Sequence, residues 1–258
     1  MSEEVLKIID RDGVRTLVLN RPNRRNALSK ELVVALKTAL YEAEADDSIH
    51  VIVLEGEGKA FCAGGDLGPK AVAGIAQQQR DRLEYVALLE AFSTVNKPTV
   101  AKVHGRALGG GFGLMLACDI TIASESTKMG TPEVRIGLFP MMIMPLILRH
   151  MGRKATLELI LTGGTLTASE AYERGCLTAL VPDDELDASV SEMVKKLRSF
   201  SPAVHRLGLS HFHRMADLAL EPATALGADG LGLNMLLEDA AEGISAFITK
   251  RQPEWKGR

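Results

Sequence analysis

The chain has 258 residues, 46% of them hydrophobic, enough to bury a full core and to form roughly one to two domains of an ordinary soluble globular protein. Its 30 basic and 33 acidic residues give a formal net charge of −3, so there is no broad cationic field for nucleic acid or anionic lipid. The longest apolar stretch, 136–148, contains Pro140 and Pro145, is too short for a membrane span, and is expected to form a buried turn and helix.

Taken in chain order, the acidic start Met1-Ser2-Glu3-Glu4 has neither an apolar signal core nor an Arg-rich transit pattern, which makes the cytoplasm the expected compartment. Val5 to Ile9 and Thr16 to Leu19 read as strands of a hairpin around the turn Asp10-Arg11-Asp12-Gly13. Arg21-Pro22-Asn23 breaks the chain. Ser29 then caps a helix whose Leu32, Val33, Leu36 and Leu40 share one face, with Glu31 at the favourable end of the dipole and an end near Asp46.

Strand 51–54, a helix over about 77–95, strand 99–103, helix 111–118 and strand 120–123 continue a strand and helix alternation that indicates an α/β layered core. After Gly152 the segments 154–161, 168–174, 185–199, 203–218, 222–237 and 239–250 read as helices, with only Thr178 to Val181 strand-like. No low-complexity linker or solenoid repeat divides the chain, which favours one compact unit with a helical C-terminal region.

Gly109-Gly110-Gly111 lies between an apolar strand and a helix, where bare backbone can approach a ligand and the helix aims free N–H groups and its positive dipole end at the same spot. Lys59-Ala60-Phe61-Cys62-Ala63-Gly64-Gly65-Asp66-Leu67 repeats that order after strand 51–54. Two such loops supply the paired donors that an enolate or tetrahedral thioester oxygen needs. Nucleotide motifs are excluded: Leu114 stands where the dinucleotide fingerprint has its third glycine, and Gly58-Lys59 is followed by Ala60 rather than Ser or Thr.

Glu133, after Thr131-Pro132 and beside the apolar run, reads either as an acid or base with a raised pKa or as a solvent-facing loop glutamate. His211-x-His213 does not share a helix face and has no carboxylate at ligand spacing, so it reads as a surface-facing or structural pair rather than a metal-binding one. Cys62, Cys118 and Cys176 are odd in number and widely spaced, as expected of reduced thiols; Cys62 alone sits in a glycine loop, without an evident His partner. Met141, Met142 and Met144 are expected in the core, with the alternative that one lines an acyl pocket.

Over nearly its whole length the chain resembles the crotonase superfamily, the enoyl-CoA hydratase/isomerase family. The segments are Arg21-Pro22-x-x-x-Asn26-Ala27-Leu28, Phe61-Cys62-Ala63-Gly64-Gly65-Asp66-Leu67, Gly105-x-Ala107-x-Gly109-Gly110-Gly111, Cys118-Asp119, Pro132-Glu133, Leu161-Thr162-Gly163, Ala168-x-Glu170-Ala171 and Phe247-x-x-Lys250-Arg251. Each is weak alone; their shared order and spacing are specific.

The resemblance implies an α/β fold, a crotonase-like spiral of ββα units over residues 1–195, with a helical trimerisation region over 196–258 as part of the same compact unit. It implies homotrimers that often pair into hexamers, and an acyl-CoA thioester substrate. The oxyanion hole would be the N–H groups of Gly65 and Gly110, with Glu133 moving the proton. Coenzyme A would be met by Arg25, Ala27, Ala63, Gly64, Asp66 and Leu67, largely through backbone, and by Phe247 and Lys250 reaching a neighbouring subunit's ligand. Arg24 or Arg25 would also meet a phosphate. No metal, nicotinamide or flavin is implied, and no cofactor beyond the coenzyme A moiety of the substrate.

Two departures from the family pattern shape the expected activity. Hydratases with two glutamates place one of them where this chain has Gly113, while the second is retained as Glu133. They also carry a small, Gly-rich stretch where this chain has Pro140-Met141-Met142-Ile143, and the aspartate of dienoyl-CoA isomerases is Met141 here. One carboxylate suffices to carry a proton between C2 and C4 of a 3-enoyl thioester, whereas hydration is helped by two. Isomerisation is therefore expected over fast hydration. The alternatives are a hydratase with a reduced pair, an acyl-CoA decarboxylase or thioester hydrolase using the same hole, and a non-catalytic acyl-CoA-binding scaffold; an RNA-binding scaffold fits poorly with the near-neutral charge.

Overall fold

The computed structural model describes residues 4–66 and 74–258. Strands β1 (Leu6–Arg11) and β2 (Val14–Leu19) pair antiparallel from Leu6↔Leu19 to Arg11↔Val14. Asp12 (φ 50°) and Gly13 (φ 73°) both take the left-handed conformation, as a two-residue type I′ turn requires. The turn is tighter than the expected 10–13. Asp10 and Arg15 face each other in the register, and the Arg15 guanidinium donates to both Asp10 oxygens at 2.8 and 2.6 Å, so pairing persists to the strand ends.

Each following segment repeats one pattern: a long strand, a short strand or bridge, then a helix. β2 leads through Leu28 to α1 (Lys30–Ala45). β3 (Val51–Gly56) leads through residues 62–65 to α2 (Ile75–Thr94). β4 (Thr99–Val103) leads through β5 (Arg106–Leu108) to α3 (Gly110–Ala117), and β6 (Ile120–Ser124) through β7 (Lys128–Gly130) to α4 (Met144–Thr162). β8 (Thr165–Thr167), α5 (Ala168–Glu173) and β9 (Ala179–Val181) complete the core.

The long strands and the three-residue β9 form one sheet in the order β1-β2-β3-β4-β6-β9, parallel after the hairpin. The short ones build a second ladder: Leu28 with Gly65, Cys62 with Ala107, β5 with β7, and β7 with β8. This is the α/β spiral of ββα units that the resemblance implies. Leu17, Leu32, Leu36, Leu54, Phe61, Phe92 and Phe112 are fully buried between sheet and helices, which is why β3 and β4 read as near-continuous apolar runs.

Several expectations need correction. β8 is a second strand after Gly152, beside the one expected at 178–181; its single apolar residue, Leu166, leaves no apolar run to read. The helix expected from 154 starts at Met144 and is broken at Gly152 (φ 70°, ψ 171°). The stretch 136–148 is not buried as a whole: Ile136, Leu138, Met141, Met142 and Leu148 are exposed, while Ile143 and Ile147, one helical turn apart, point inward. A short 3-10 turn, Pro132–Ile136, ends at left-handed Gly137, and the chain then crosses the surface as a loop before α4. Met141 and Met142 are therefore not core residues.

Helices α6 (Leu186–Arg198), α7 (Pro202–Met215), α8 (Leu220–Asn234) and α9 (Glu238–Thr249) follow. Buried Asp239 ties the last residues to the start of α7. Its carboxylate accepts from the Ser201 hydroxyl at 2.5 Å and from the Lys256 and Gly257 N–H groups at 2.7 and 3.0 Å, and its own N–H donates to Arg258 O at 3.0 Å.

Candidate active site

Three backbone segments run side by side where the second ladder hands over to the helices. Leu28 N–H donates to Gly64 O (2.8 Å), Asp66 N–H to Leu28 O (3.1 Å) and Ala63 N–H to Arg25 O (2.9 Å). Cys62 N–H donates to Arg106 O (2.9 Å) and Leu108 N–H to Cys62 O (3.0 Å). Buried Asn26 stitches the first segment down: its Oδ1 accepts from Arg21 N–H (2.9 Å) and its Nδ2 donates to Glu57 O (3.0 Å) and Ala60 O (2.7 Å).

Close approach demands the glycines. A β-carbon on Gly64 would lie 2.7 Å from Leu108 O and 3.5 Å from Gly110 N, and one on Gly111 2.4 Å from Cys62 O. Gly65 and Gly110 are thus brought to adjoining turns. Among the described residues neither the Gly65 nor the Gly110 N–H donates a hydrogen bond. Gly110 opens α3, so its N–H is one of the helix's intrinsically free donors, and no described residue beyond its chain neighbours comes within 4 Å of the β-position of Gly65. Two free backbone donors on adjoining glycine turns suit a developing oxyanion.

Glu133 approaches the same turn, its Oε1 2.7 Å from where a Gly109 β-carbon would be. Its Oε2 is buried and has no hydrogen-bond partner among the described residues, and burial raises its pKa above the ordinary 4.5, against a smaller opposing effect of its own backbone N–H. A desolvated carboxyl beside free N–H donors is equipped for proton transfer.

The position left open by Gly113 is filled from two directions. A β-carbon there would meet Ile143 Cγ2 at 2.3 Å and the Tyr85 hydroxyl at 2.8 Å. The two family departures are therefore one structural feature: a bulky residue of the Pro140–Ile143 stretch packs where the missing glutamate would start. Tyr85 was not foreseen from sequence. Its signal was a hydroxyl on the buried face of the helix with Leu88 and Phe92, since such a group needs a partner.

Of the residues expected to meet coenzyme A, Arg25, Ala27, Ala63, Gly64 and Asp66 lie together along the paired segments, and Leu67 falls outside the described residues. The Asp66 carboxylate is held by Arg21 at 2.8 Å and Arg24 at 3.0 Å. Phe247 and Lys250 lie exposed at the end of α9, and among the described residues no hydrogen bond or ion pair joins them to the glycine turns. Cys62 is buried, its thiol pushed up to about 12, which rules against a nucleophile at neutral pH. His213 Nε2 is buried without a hydrogen bond, 4.0 Å from Asp119, and the described residues contain no cluster of His, Cys, Asp or Glu able to hold a metal.

A profile of the family described as "Enoyl-CoA hydratase/isomerase" matches residues 10–258. The chain belongs to this family. It is 35% identical to "Enoyl-CoA hydratase domain-containing protein 3, mitochondrial" of Rattus norvegicus, over 95% of this chain and 82% of that protein. It is 34% identical to "2,3-dehydroadipyl-CoA hydratase" of Escherichia coli strain K12, over 95% and 96%. The crystal structure of an enoyl-CoA hydratase from Mycobacterium smegmatis superposes with a TM-score of 0.95 at 32% identity, covering 98% of this chain and 99% of that one. As a member of the enoyl-CoA hydratase/isomerase family, the chain is an enzyme acting on acyl-CoA. Among the described residues no helix is long and apolar enough to cross a membrane.

Proposed function

We propose that the protein moves the double bond of a 3-enoyl-CoA thioester to the 2-position, with Glu133 as the single acid and base. The Glu133 carboxylate takes a proton from C2, and the electron pair of that bond passes to the thioester oxygen. The resulting dienolate is held by the Gly65 and Gly110 N–H groups. As it collapses, the protonated Glu133 returns the proton to C4 and the double bond comes to rest between C2 and C3. The balance closes without water and without any cofactor beyond the coenzyme A moiety.

One observation carries this reading: the space at Gly113, where a second carboxylate would begin, is occupied by Ile143 and Tyr85. The test compares turnover of chain-matched 3-enoyl and 2-enoyl thioesters by the native enzyme. Faster isomerisation supports the reading; hydration at an equal or higher rate overturns it. A hydratase working with Glu133 alone is the second reading, favoured by the hydratase names of the relatives, and that same comparison decides between the two. Arg25, Ala27, Ala63, Gly64, Asp66 and Leu67 bind the coenzyme A in this scheme, Phe247 and Lys250 reach it from a neighbouring subunit, and 196–258 assembles a trimer or a pair of trimers. Exposed apolar side chains on the C-terminal helices, such as Leu231, Phe247 and Ile248, support that assembly.

A further inference from the structure

The turn that presents the Gly110 N–H consists of three consecutive glycines, which have no side chains to pack and lose the most conformational freedom when ordered. Its direction must be set by hydrogen bonds to the two peptide planes that flank Gly110. The plane before it is held by Gly109 O, which accepts from Gly113 N–H at 3.0 Å, and Gly109 N–H is anchored on Gly130 O at 2.8 Å. The plane after it carries Gly110 O, which accepts from the Tyr85 hydroxyl at 2.7 Å. Among the described residues this is the only side-chain hydrogen bond to the three-glycine turn.

Tyr85 itself is held firmly. Only 6% exposed, it packs in the core cluster with Leu28, Leu88, Phe112 and Ile143, and its hydroxyl lies 3.2 Å from the β-position of Gly110. Burial, with Cys62 and Glu133 nearby, holds the phenol well above its usual range, so it stays a neutral donor at physiological pH.

We propose that Tyr85 is a positioning residue for the oxyanion hole: by donating to Gly110 O from the rigid core, its hydroxyl fixes the first turn of α3 and thereby the aim of the Gly110 N–H. The proposal rests on the thioester reading above in one respect, that the Gly110 N–H is a donor to the substrate oxygen. Its general logic is that hole donors stabilise a transition state only if they are oriented before the reaction.

Tyr85→Phe keeps the ring and removes the hydroxyl. The readout is the carbonyl stretch of a cinnamoyl-CoA thioester, isotope-edited and bound to the Glu133→Gln enzyme, where turnover is suppressed. Binding to the Glu133→Gln enzyme should lower the stretch; adding Tyr85→Phe should abolish at least half of that lowering. In the otherwise native enzyme Tyr85→Phe should reduce kcat about 10-fold with KM changed less than about 2-fold, below the roughly 10²–10³ of losing a donor outright. Leu36→Val, a core change in α1 at a residue with no hydrogen bond to the turn, serves as a destabilised control and should keep both the stretch and kcat. An unchanged stretch and kcat in Tyr85→Phe, or an equal loss in Leu36→Val, overturns the proposal while leaving the hole in place. Absence of any lowering before Tyr85 is changed overturns the hole itself.

Discussion

With Oε2 buried and, among the described residues, unpartnered, Glu133 titrates above 4.5 in the folded protein, and the consequences for activity and stability have opposite signs. In the proposed isomerisation the carboxylate acts first as base, so kcat/KM should fall as pH drops through the folded pKa, with the acid limb displaced upward from the ordinary 4.5. Stability runs the other way. In the unfolded chain the group ionises near 4.5, so stability is greatest below that pH, declines as pH rises towards the folded pKa and stays lower beyond it. Glu133→Gln should therefore cut kcat by about 10²–10⁴ yet raise the melting temperature at neutral pH. That gain should vanish near about pH 4, where both states are protonated. A lower melting temperature at neutral pH would contradict the desolvation account.

The same residue scale holds the second departure. Gly113→Glu alone should not restore a hydratase pair, because its β-carbon would fall on Ile143 Cγ2. It should lower the urea midpoint and leave 2-enoyl hydration unimproved. Pairing it with Ile143→Ala should relieve the clash and raise hydration relative to either single variant. Gly113, Glu133 and the bulk of Pro140–Ile143 were each visible in sequence. That Ile143 fills the space beside Gly113 was not, because it is a contact between distant segments.

Among the elements, those with a local cause were legible. Ser29 does cap α1, its hydroxyl accepting from Leu32 N–H at 3.3 Å, and the buried Leu32, Val33, Leu36 and Leu40 are the face expected. Ser29→Ala should lower stability by about 1 kcal/mol, read from the urea midpoint. Asn26 occupies a left-handed position, φ 56°, and satisfies three backbone groups. Asn26→Ala should cost on the order of 3 kcal/mol by orphaning buried partners, and should raise KM because the 25–28 segment loses its anchor. β5, β7 and β8 escaped notice because each holds only one or two apolar side chains, unlike the Ala179-Leu180-Val181 run of β9. The stretch 136–148 misled because composition reports apolarity, not which side of a loop meets the core.

At the scale of the whole molecule, alternation of strands and helices gave the layered α/β class, and the spacing of the glycine motifs matched the spiral. The second ladder explains why: each turn passes through a short strand before its helix, so the glycine turns at 64–65 and 109–111 end adjacent although widely separated in sequence. Light scattering should give three or six times the chain mass, driven by the apolar faces of the C-terminal helices. A monomer at micromolar concentration would contradict that assembly.

The central claim is that one carboxylate, beside a hole whose second acid–base position is filled, makes this enzyme an isomerase before a hydratase. The most direct measurement is the initial rate of the native enzyme on 3-enoyl and 2-enoyl CoA thioesters of equal chain length at neutral pH, across several lengths. The account predicts that for the best chain length double-bond migration outruns water addition, and that Glu133→Gln slows it by about 10²–10⁴. Hydration matching or exceeding isomerisation at every length would contradict it.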